Sequence, residues 1–571
     1  MKNKDTGKNV SFWDRKFQYT KMGSSPKTEI IAGLTTFLAM AYILIVNAGM
    51  FATLGVVSFD AMYVTTALSA IIGTVLMGLL SNLPLAQAPG MGINAFFVYT
   101  VCLTLGFSYA NALVFVLIDG LVFVLLTATG LRKIIFDAVP PVVKAAIPAG
   151  IGLFIAFLGL QDAKIVIPSA STGVTLASFN LLGDASWASV MPLLVAVFSL
   201  LLIAVLSYKK IRGAILYGIL GGTALYYVLG FTVNGFYTGF AENFSFNPLK
   251  PFASFATESF GKVFTEGFDF SAYLNTEGHT VGGLVILFIT TSLAFCMVDM
   301  FDTLGTLYGA CRGGNLLVKN DRGELEVPNM NKAMMADALA TCTGSVLGTS
   351  TVTTFVESSA GVAAGGKTGI TSLVTSGAFA VALFFAPIAK LIPAYAYGAA
   401  LIYVGVLMMG SVKDIDWKDV SVSVPAFLTI AMIPFSYNIS YGIAFGLISY
   451  VVIKLFSGKV KEVKAGIEIL KATGMRQGVR IISCPTCGRT EVDIISLAGE
   501  MEKRLANVKR PITVAVMGCA VNGPGEAKEA DIGVACGNDC GVIFAGGEIV
   551  EKVKYEKIIS ELMRLINERF T

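Results

Sequence analysis

Long apolar runs recur along most of the chain, each about as long as a helix that crosses a membrane. The first run begins at Glu29 and ends at Met50, and about 20 apolar residues suffice for a helix to cross the hydrocarbon core of a bilayer. Eleven further runs of this kind lie near 61–81, 108–129, 142–161, 187–207, 212–233, 281–308, 330–347, 369–392, 394–411, 421–436 and 439–456. Two shorter apolar segments, 85–105 and 349–363, are interrupted by Gly, Pro and Thr. Counting both, the pattern predicts an α-helical polytopic membrane protein with about 14 spans.

The two interrupted segments are poor material for continuous helices. Residues 88–96 read APGMGINAF and residues 348–361 read GTSTVTTFVESSAG, so proline and β-branched threonines stand where a helix would need other residues. Non-helical backbone at membrane depth persists only where protein or a water-filled cavity satisfies its polar groups. The segments come third and tenth, at matching positions of two seven-span halves, which predicts a substrate site near the membrane midplane. The alternative is a pair of re-entrant loops that only pack.

Carboxylates inside the apolar runs narrow the position of this site. Asp299 and Asp302 stand three residues apart in the eighth span, on one helical face, and Glu357 closes the tenth segment. Charged groups at such depth are rare and usually mark ion or proton pathways. Asp302 has an alternative role as a structural hydrogen-bond acceptor beside the hydroxyl of the next residue. Asp119 and Asp337 are further buried candidates to which the sequence assigns no role.

Composition agrees with a membrane protein and divides the chain. Hydrophobic residues make up 55% and charged residues 14%, and the net charge of +4 requires no nucleic-acid partner. From Lys464 onward 29 of 108 residues are charged, against 51 of the preceding 463. We therefore expect a polar segment at 1–28, a membrane domain at 29–460 and a soluble domain at 465–571. Basic residues before the first span and after even-numbered spans predict that both ends of the membrane domain face the cytoplasm, in a bacterial inner membrane.

Three motifs in the membrane part carry a family resemblance. VDMFDTLGT at 298–306, QAPGMGINAFF at 87–97 and GTSTVTTFVESSAG at 348–361 resemble the AzgA-like purine permeases of the nucleobase–cation symporters, in the xanthine–uracil permease superfamily. The resemblance implies core and gate domains built from a 7+7 inverted repeat, and short strands that pair in the third and tenth segments, backed by half-helices. The resemblance further implies proton-coupled uptake of purine nucleobases, either hypoxanthine or guanine with adenine as a further candidate, and assembly as a homodimer. By motif, Asn94, Asp299, Glu357 and Thr353 would bind the purine, while Glu357, Asp299 and Asp302 would couple the proton.

The last hundred residues contain five of the nine cysteines. Cys484 and Cys487 form a C-x2-C pair, which alone fits zinc, a redox dithiol or an iron–sulfur cluster, and Cys519 follows. A four-cysteine zinc site would have to recruit Cys536 or Cys540, which otherwise are packing or surface thiols. Alternating short elements, a helix at 465–474, strands near 479–483, 512–517, 531–536, 541–545 and 548–553, and helices at 491–507 and 555–569, predict a small α+β domain.

SCPTCGRTEVDI and MGCAVNGPGEAKEADIG resemble the C-terminal iron–sulfur domain of hydroxymethylbutenyl diphosphate synthase (IspG, also called GcpE), a ferredoxin/sulfite-reductase-like fold. The resemblance implies that Cys484, Cys487, Cys519 and Glu526 hold a [4Fe–4S] cluster. That enzyme also needs a (β/α)8 barrel, which is absent from this sequence. The tail is thus either a passenger, joined by a gene-level fusion or an assembly accident, or a membrane-tethered enzyme half that needs a separate barrel-bearing chain of isoprenoid biosynthesis. An electron-transfer role has no haem, flavin or quinone motif to support it.

Overall fold

The computed structural model describes residues 11–131, 139–232, 247, 249–275, 280–314, 316–319, 325–456, 479–483, 492–505, 512–518, 530–537 and 540–570. The chain divides into two compact units, Met1–Tyr450 and Val451–Thr571. The first unit is almost wholly helical and the second is a mixed α/β unit.

The helices of the first unit follow the predicted apolar runs. Its first half contains α1 (Phe12–Phe17), α2 (Pro26–Met40), α3 (Ile43–Ala52), α4 (Phe59–Leu76), β1 (Gln87–Pro89), α5 (Met91–Ala95), α6 (Tyr109–Ala128), α7 (Pro141–Asp162), β2 (Val166–Ser169), β3 (Gly173–Leu176), α8 (Trp187–Tyr208) and α9 (Ala214–Thr232). Its second half contains α10 (Lys250–Glu258), α11 (Lys262–Thr265), α12 (Ser271–Leu274), α13 (Val281–Gly313), β4 (Val318–Lys319), β5 (Leu325–Glu326), α14 (Met330–Leu347), β6 (Val352–Thr354), α15 (Ser358–Ala363), α16 (Gly369–Ala382), α17 (Ala386–Ala389), α18 (Ala394–Met408), α19 (Val420–Ser436) and α20 (Ile439–Phe456). Stretches of π-helix extend α4 over Met77–Ser81 and α5 over Phe96–Thr104.

Hydroxyl side chains set the starts of several of these helices. Ser58, Ser186 and Thr280 each accept a hydrogen bond from a backbone N–H of the first turn, and Ser108 forms a capping box with Asn111. These bonds satisfy donors that a helix leaves open at its beginning. Among the described residues nine helices are long and apolar enough to cross a membrane, and three shorter apolar helices accompany them. All twelve uninterrupted runs of the sequence coincide with helices.

The helices of the first unit pack as two groups. The core group comprises α2, α3, α4, α6, α13, α14, α15 and α16 with β1, β6 and α5, and the gate group comprises α7, α8, α9, α18, α19 and α20. The groups meet where small residues permit close approach. A Cβ on Gly92 of α5 would lie 2.5 Å from Ile151 of α7, and one on Gly49 of α3 would lie 2.5 Å from the Tyr397 hydroxyl of α18. Thr100, in the π-helical stretch, also donates a hydrogen bond to the Tyr437 carbonyl at the end of α19.

The two interrupted segments meet as a pair of antiparallel strands. β1 pairs with β6 in the register Gln87↔Thr354, Ala88↔Thr353 and Pro89↔Val352. Two glycines make room for this pair of strands. A Cβ on Gly73 of α4 would lie 3.0 Å from one methyl carbon of Val352, and a Cβ on Gly344 of α14 would lie 2.7 Å from the other. Each strand leads into a short helix, α5 or α15. The strand pairing and half-helices that the resemblance implied are therefore confirmed.

The second unit is built on a five-stranded mixed sheet. Its strands are β7 (Arg480–Ser483), β8 (Thr513–Met517), β9 (Ile532–Cys536), β10 (Cys540–Ala545) and β11 (Glu548–Lys554), in the order β11-β10-β9-β8-β7. β7, β8 and β9 run parallel, whereas β9, β10 and β11 are antiparallel. Two amphipathic helices, α21 (Ile494–Leu505) and α22 (Ile558–Phe570), bury apolar side chains at helical spacing against it. The predicted helix at 465–474 lies outside the described residues.

Candidate functional site

Asn94 joins the third segment to the tenth beside the paired strands β1 and β6, a place that we call the strand crossing. Its side chain is fully buried in α5, and its Nδ2 donates to the Pro89 carbonyl at 3.3 Å. Its Oδ1 accepts a hydrogen bond from the hydroxyl of Ser350, which comes just before β6. In this conformation both the nitrogen and the oxygen of the Asn94 amide form hydrogen bonds within the protein. The side chain therefore stabilises the contact between α5 and the segment before β6.

A threonine hydroxyl links three of the elements that meet at the crossing. Thr303 Oγ1 of α13 lies 2.8 Å from Asp337 Oδ1 of α14, 2.7 Å from Thr353 Oγ1 of β6, and 3.4 Å from Asp299 Oδ1. Gln87 Nε2 of β1 donates to the same Asp337 oxygen at 3.3 Å. All five side chains are buried. Asp299 and Thr353 therefore belong to a buried hydrogen-bond network, and Asp337 is part of it as well.

Glu357 occupies the N-cap position of α15 and keeps part of its surface exposed. The hydroxyl of Tyr42, on the first span, donates to Glu357 Oε1 at 2.5 Å. Tyr42 itself is fully buried. A phenol donating to a carboxylate at this distance is a charge-assisted hydrogen bond, which is stronger than one between neutral groups.

Asp302 is the second partly exposed carboxylate at the crossing. Its Oδ2 lies 3.4 Å from the point that a Cβ would occupy on Gly90, directly after β1. It is also near enough to Asp337 and Glu357 for their charges to interact. Asp302 and Glu357 thus present acceptor oxygens at one place, next to the backbone of the crossed strands.

The five membrane-domain residues to which the resemblance assigns a role all lie around the strand crossing. Asn94, Asp299 and Thr353 are buried in contacts within the protein, whereas Asp302 and Glu357 are the two with exposed surface. Sequence reasoning missed the contact partners Tyr42, Gln87 and Ser350. It considered the Thr303 hydroxyl only as a neighbour of Asp302, whereas that hydroxyl contacts Asp337 and Thr353. Gln87, Thr303 and Ser350 stand inside the quoted motifs, which is the signal that could have found them, whereas Tyr42 stands in an apolar run without such a signal.

The proposed cluster ligands Cys484, Cys487, Cys519 and Glu526 lie outside the described residues. β7 ends at Ser483 and β8 ends at Met517, and these two strands are parallel neighbours with Ser483 opposite Val516. The carboxyl ends of β7 and β8 therefore lie at the same edge of the sheet. Among the described residues no group of three or more His, Cys, Asp or Glu side chains is placed to hold a metal ion. Cys536 is buried at the end of β9, as expected of a packing thiol.

Helices of this length around a pair of crossed, broken segments define a multi-pass helical membrane transporter. The solved structure of SLC26A9 has a similar fold, with a TM-score of 0.50 and 14% identity over 91% of this chain and 83% of that one. The xanthine/uracil-type permease family matches residues 27–445, and the chain belongs to that permease family. The GcpE protein C-terminal domain matches residues 480–568.

Two relatives match nearly their whole length. Permease MJ0326 of Methanocaldococcus jannaschii is 41% identical over 80% of this chain and 95% of its own. The guanine/hypoxanthine permease PbuO of Bacillus subtilis is 38% identical over 78% of this chain and 96% of its own. The predicted fold class, a helical membrane protein followed by a small α+β domain, is confirmed. The number of membrane-spanning segments and their arrangement as an inverted repeat stay predictions.

Proposed function

We propose that this protein carries purine nucleobases across the membrane, with hypoxanthine or guanine as the preferred substrate, adenine as a further candidate, and the proton as the coupling ion. The observation that carries the proposal is the strand crossing, where the partly buried carboxyl groups of Asp302 and Glu357 lie close to β1 and β6. A purine edge offers N–H donors together with ring-nitrogen or carbonyl acceptors. A carboxylate accepts such N–H groups, and backbone groups of the interrupted segments complement the rest of the edge.

The buried part of the proposed purine site consists of Asn94, Asp299 and Thr353. Their bonds to Ser350 and Thr303 fix the distance between the third segment, the eighth span and the tenth segment. A site held this way is preformed, which lowers the entropy cost of binding a flat, rigid ligand. The similarity to a guanine/hypoxanthine permease supports the substrate class.

Proton coupling rests on the proximity of two partly buried carboxylates, Asp302 and Glu357. Asp302 and Glu357 interact through their charges, and two carboxylates shielded from water repel each other unless one binds a proton or a donor. A purine N–H and a proton can therefore favour each other's binding at this pair. We assign Glu357, Asp299 and Asp302 to this step, and sodium coupling is the competing reading.

Uptake of labelled hypoxanthine by whole cells tests the assignment. We expect Asp299→Asn and Glu357→Gln each to reduce uptake at least about tenfold, because both remove a carboxylate from the site. Glu266→Gln, at an exposed residue outside the core group, is the matched control and should behave as the parent. Unlabelled guanine, adenine, xanthine and uracil added as competitors rank the substrates. Undiminished uptake in both site variants would rule the assignment out.

The proposed setting is a bacterial cytoplasmic membrane, with residues 29–460 as the membrane domain and both of its ends on the cytoplasmic side. The asymmetry of basic residues supports this orientation. A homodimer is part of the proposal by family resemblance. Reagents that label lysines from one side of the membrane test the orientation, since Lys209 and Lys210 should react only from inside.

For residues 465–571 we propose a [4Fe–4S] cluster held by Cys484, Cys487, Cys519 and Glu526. The match to the GcpE C-terminal domain and the parallel pair β7–β8 support it. When bound, the cluster would supply electrons, and the carboxylate ligand would be more exchangeable than a thiolate. Iron and sulfide analysis of the full chain purified without oxygen tests this, with Cys484→Ser expected to lose the cluster and Cys540→Ser expected to keep it. A membrane-tethered half of the isoprenoid enzyme, working with a barrel-bearing chain, is the second candidate, and it requires the cluster.

A further inference from the structure

We propose that the first span positions the candidate proton-coupling carboxylate, with Tyr42 orienting Glu357 and Glu29 anchoring the far end of its half-helix. Only the transport readout of this proposal rests on the proposed function. Neither residue belongs to the motifs at the strand crossing. Both are fully buried and both stand on one stretch of chain, in α2 and just before α3.

Tyr42 lies where the helix of the first span is interrupted. α2 ends at Met40 and α3 begins at Ile43, and the buried Tyr42 side chain reaches from the first span to the tenth segment. Burying a phenol hydroxyl costs free energy unless it is hydrogen-bonded, and here it donates to Glu357 Oε1 at 2.5 Å. The bond therefore restricts the orientation of that carboxylate and leaves its second oxygen available to accept a hydrogen bond from a ligand.

Glu29 holds the other end of the tenth segment. Its Oε1 accepts from the Lys367 backbone N–H at 3.1 Å, and its Oε2 accepts from the Thr368 N–H at 3.3 Å and the Thr371 hydroxyl at 2.6 Å. These donors belong to the turn after α15 and to the first turn of α16. A carboxylate at the beginning of a helix is favoured by the helix dipole and by the open N–H groups there.

Between these two anchors the half-helix α15 lies directly on α2. A Cβ on Gly361 would lie 2.0 Å from Thr36 Oγ1 and 2.7 Å from the Ala32 carbonyl oxygen. The absence of a side chain lets the two backbones touch. The half-helix thus cannot shift along its own axis without moving the first span, so the position of Glu357 depends on that span.

Tyr42→Phe is the deciding variant because it removes the hydroxyl and keeps the ring. Tyr63→Phe is the matched control: Tyr63 is also buried in the core group, and its hydroxyl donates to the Ala382 carbonyl at 3.0 Å, away from Glu357. We expect Tyr42→Phe to raise the KM for hypoxanthine about tenfold, as loss of a hydrogen bond to a charged group does. Both variants should remain folded, with Tyr42→Phe losing more thermal stability than Tyr63→Phe because its lost hydrogen bond is to a charged group.

A second readout needs no substrate. A membrane-soluble carbodiimide labels accessible carboxyl groups, and mass spectrometry of the peptide with residue 357 gives the labelling rate. Since the phenol occupies Oε1, labelling should become at least about threefold faster in Tyr42→Phe and stay at the parent rate in Tyr63→Phe. Glu29→Gln should also raise the rate, through the loosened half-helix.

The outcomes separate this proposal from the proposed function. Faster labelling of Glu357 in Tyr42→Phe, with no saturable hypoxanthine uptake by the parent, would support the positioning role and refute the purine assignment. Labelling rates that are equal in Tyr42→Phe and Tyr63→Phe would overturn the positioning role, whatever the transport result. A KM change in Glu29→Gln without any change in labelling would overturn the part assigned to Glu29.

Discussion

Thr303→Val removes the hydroxyl that α13, α14 and β6 share, while the shape of the side chain stays nearly the same. Two well-formed hydrogen bonds disappear, at 2.8 Å to Asp337 Oδ1 and 2.7 Å to Thr353 Oγ1. An interhelical hydrogen bond in a membrane protein contributes about 0.6 kcal/mol on average and at most about 1.7 kcal/mol. Because one of the two bonds is to a carboxylate, we expect the free energy of unfolding to fall by about 2 kcal/mol.

The assay is reversible unfolding of the purified protein in mixed detergent micelles, followed together with hypoxanthine uptake. Thr306→Val is the control, since Thr306 lies one turn further along α13, is 8% exposed and makes no side-chain hydrogen bond among the described residues. We expect uptake by Thr303→Val to show a raised KM, because Thr353 and Asp299 lose a common partner. Equal stability of the two variants would refute the view that the buried network holds the crossing together.

Three further predictions follow from close contacts and exposed charges. Gly361→Ala should lower the free energy of unfolding by about 1–3 kcal/mol through the contact with Thr36, whereas Gly377→Ala, with nothing within 4 Å, should not; equal melting temperatures would contradict this. Gly92→Ala should slow hypoxanthine uptake by crowding Ile151 between the core and gate groups, and Ile151→Ala should restore it; uptake that stays low in the double variant would argue against this contact as the cause. In the second unit Leu562→Ala, at a buried residue, should lower the free energy of unfolding by about 2–5 kcal/mol. Arg564→Ala, which removes exposed ion pairs, should lower it by less than about 1 kcal/mol. Chemical denaturation measures both values, and the reverse order would contradict the assigned core.

The interrupted segments could be predicted from the sequence because their residues are incompatible with a helix. Pro89 and the threonines at 351, 353 and 354 mark the place where β1 and β6 replace it. The carboxylates Asp299, Asp302 and Glu357 could be found for a similar reason, since charge is conspicuous in an apolar run. What the sequence could not indicate was which of them faces a neighbour and which keeps exposed surface, because that depends on how the helices are rotated about their axes.

Residues that act through another side chain were harder to find. Tyr42 stands among Ile, Leu and Val in the first span, where an aromatic residue facing lipid and one facing a carboxylate give the same pattern. Asp337 was recognisable as buried, but its connection to Thr303 and Gln87 joins positions that are 34 and 250 residues away in the chain. Glu29 marked only the start of an apolar run, whereas its bonds reach across to residues 367, 368 and 371.

Purine transport coupled to protons is tested most directly in proteoliposomes that contain only the purified protein. With the interior made more alkaline than the medium, labelled hypoxanthine should accumulate above its external concentration, and a protonophore should abolish the accumulation. The Glu357→Gln protein, reconstituted to the same density, should not accumulate it. Accumulation that follows a sodium gradient and ignores the proton gradient, or that is as large in Glu357→Gln as in the parent, would contradict the proposal.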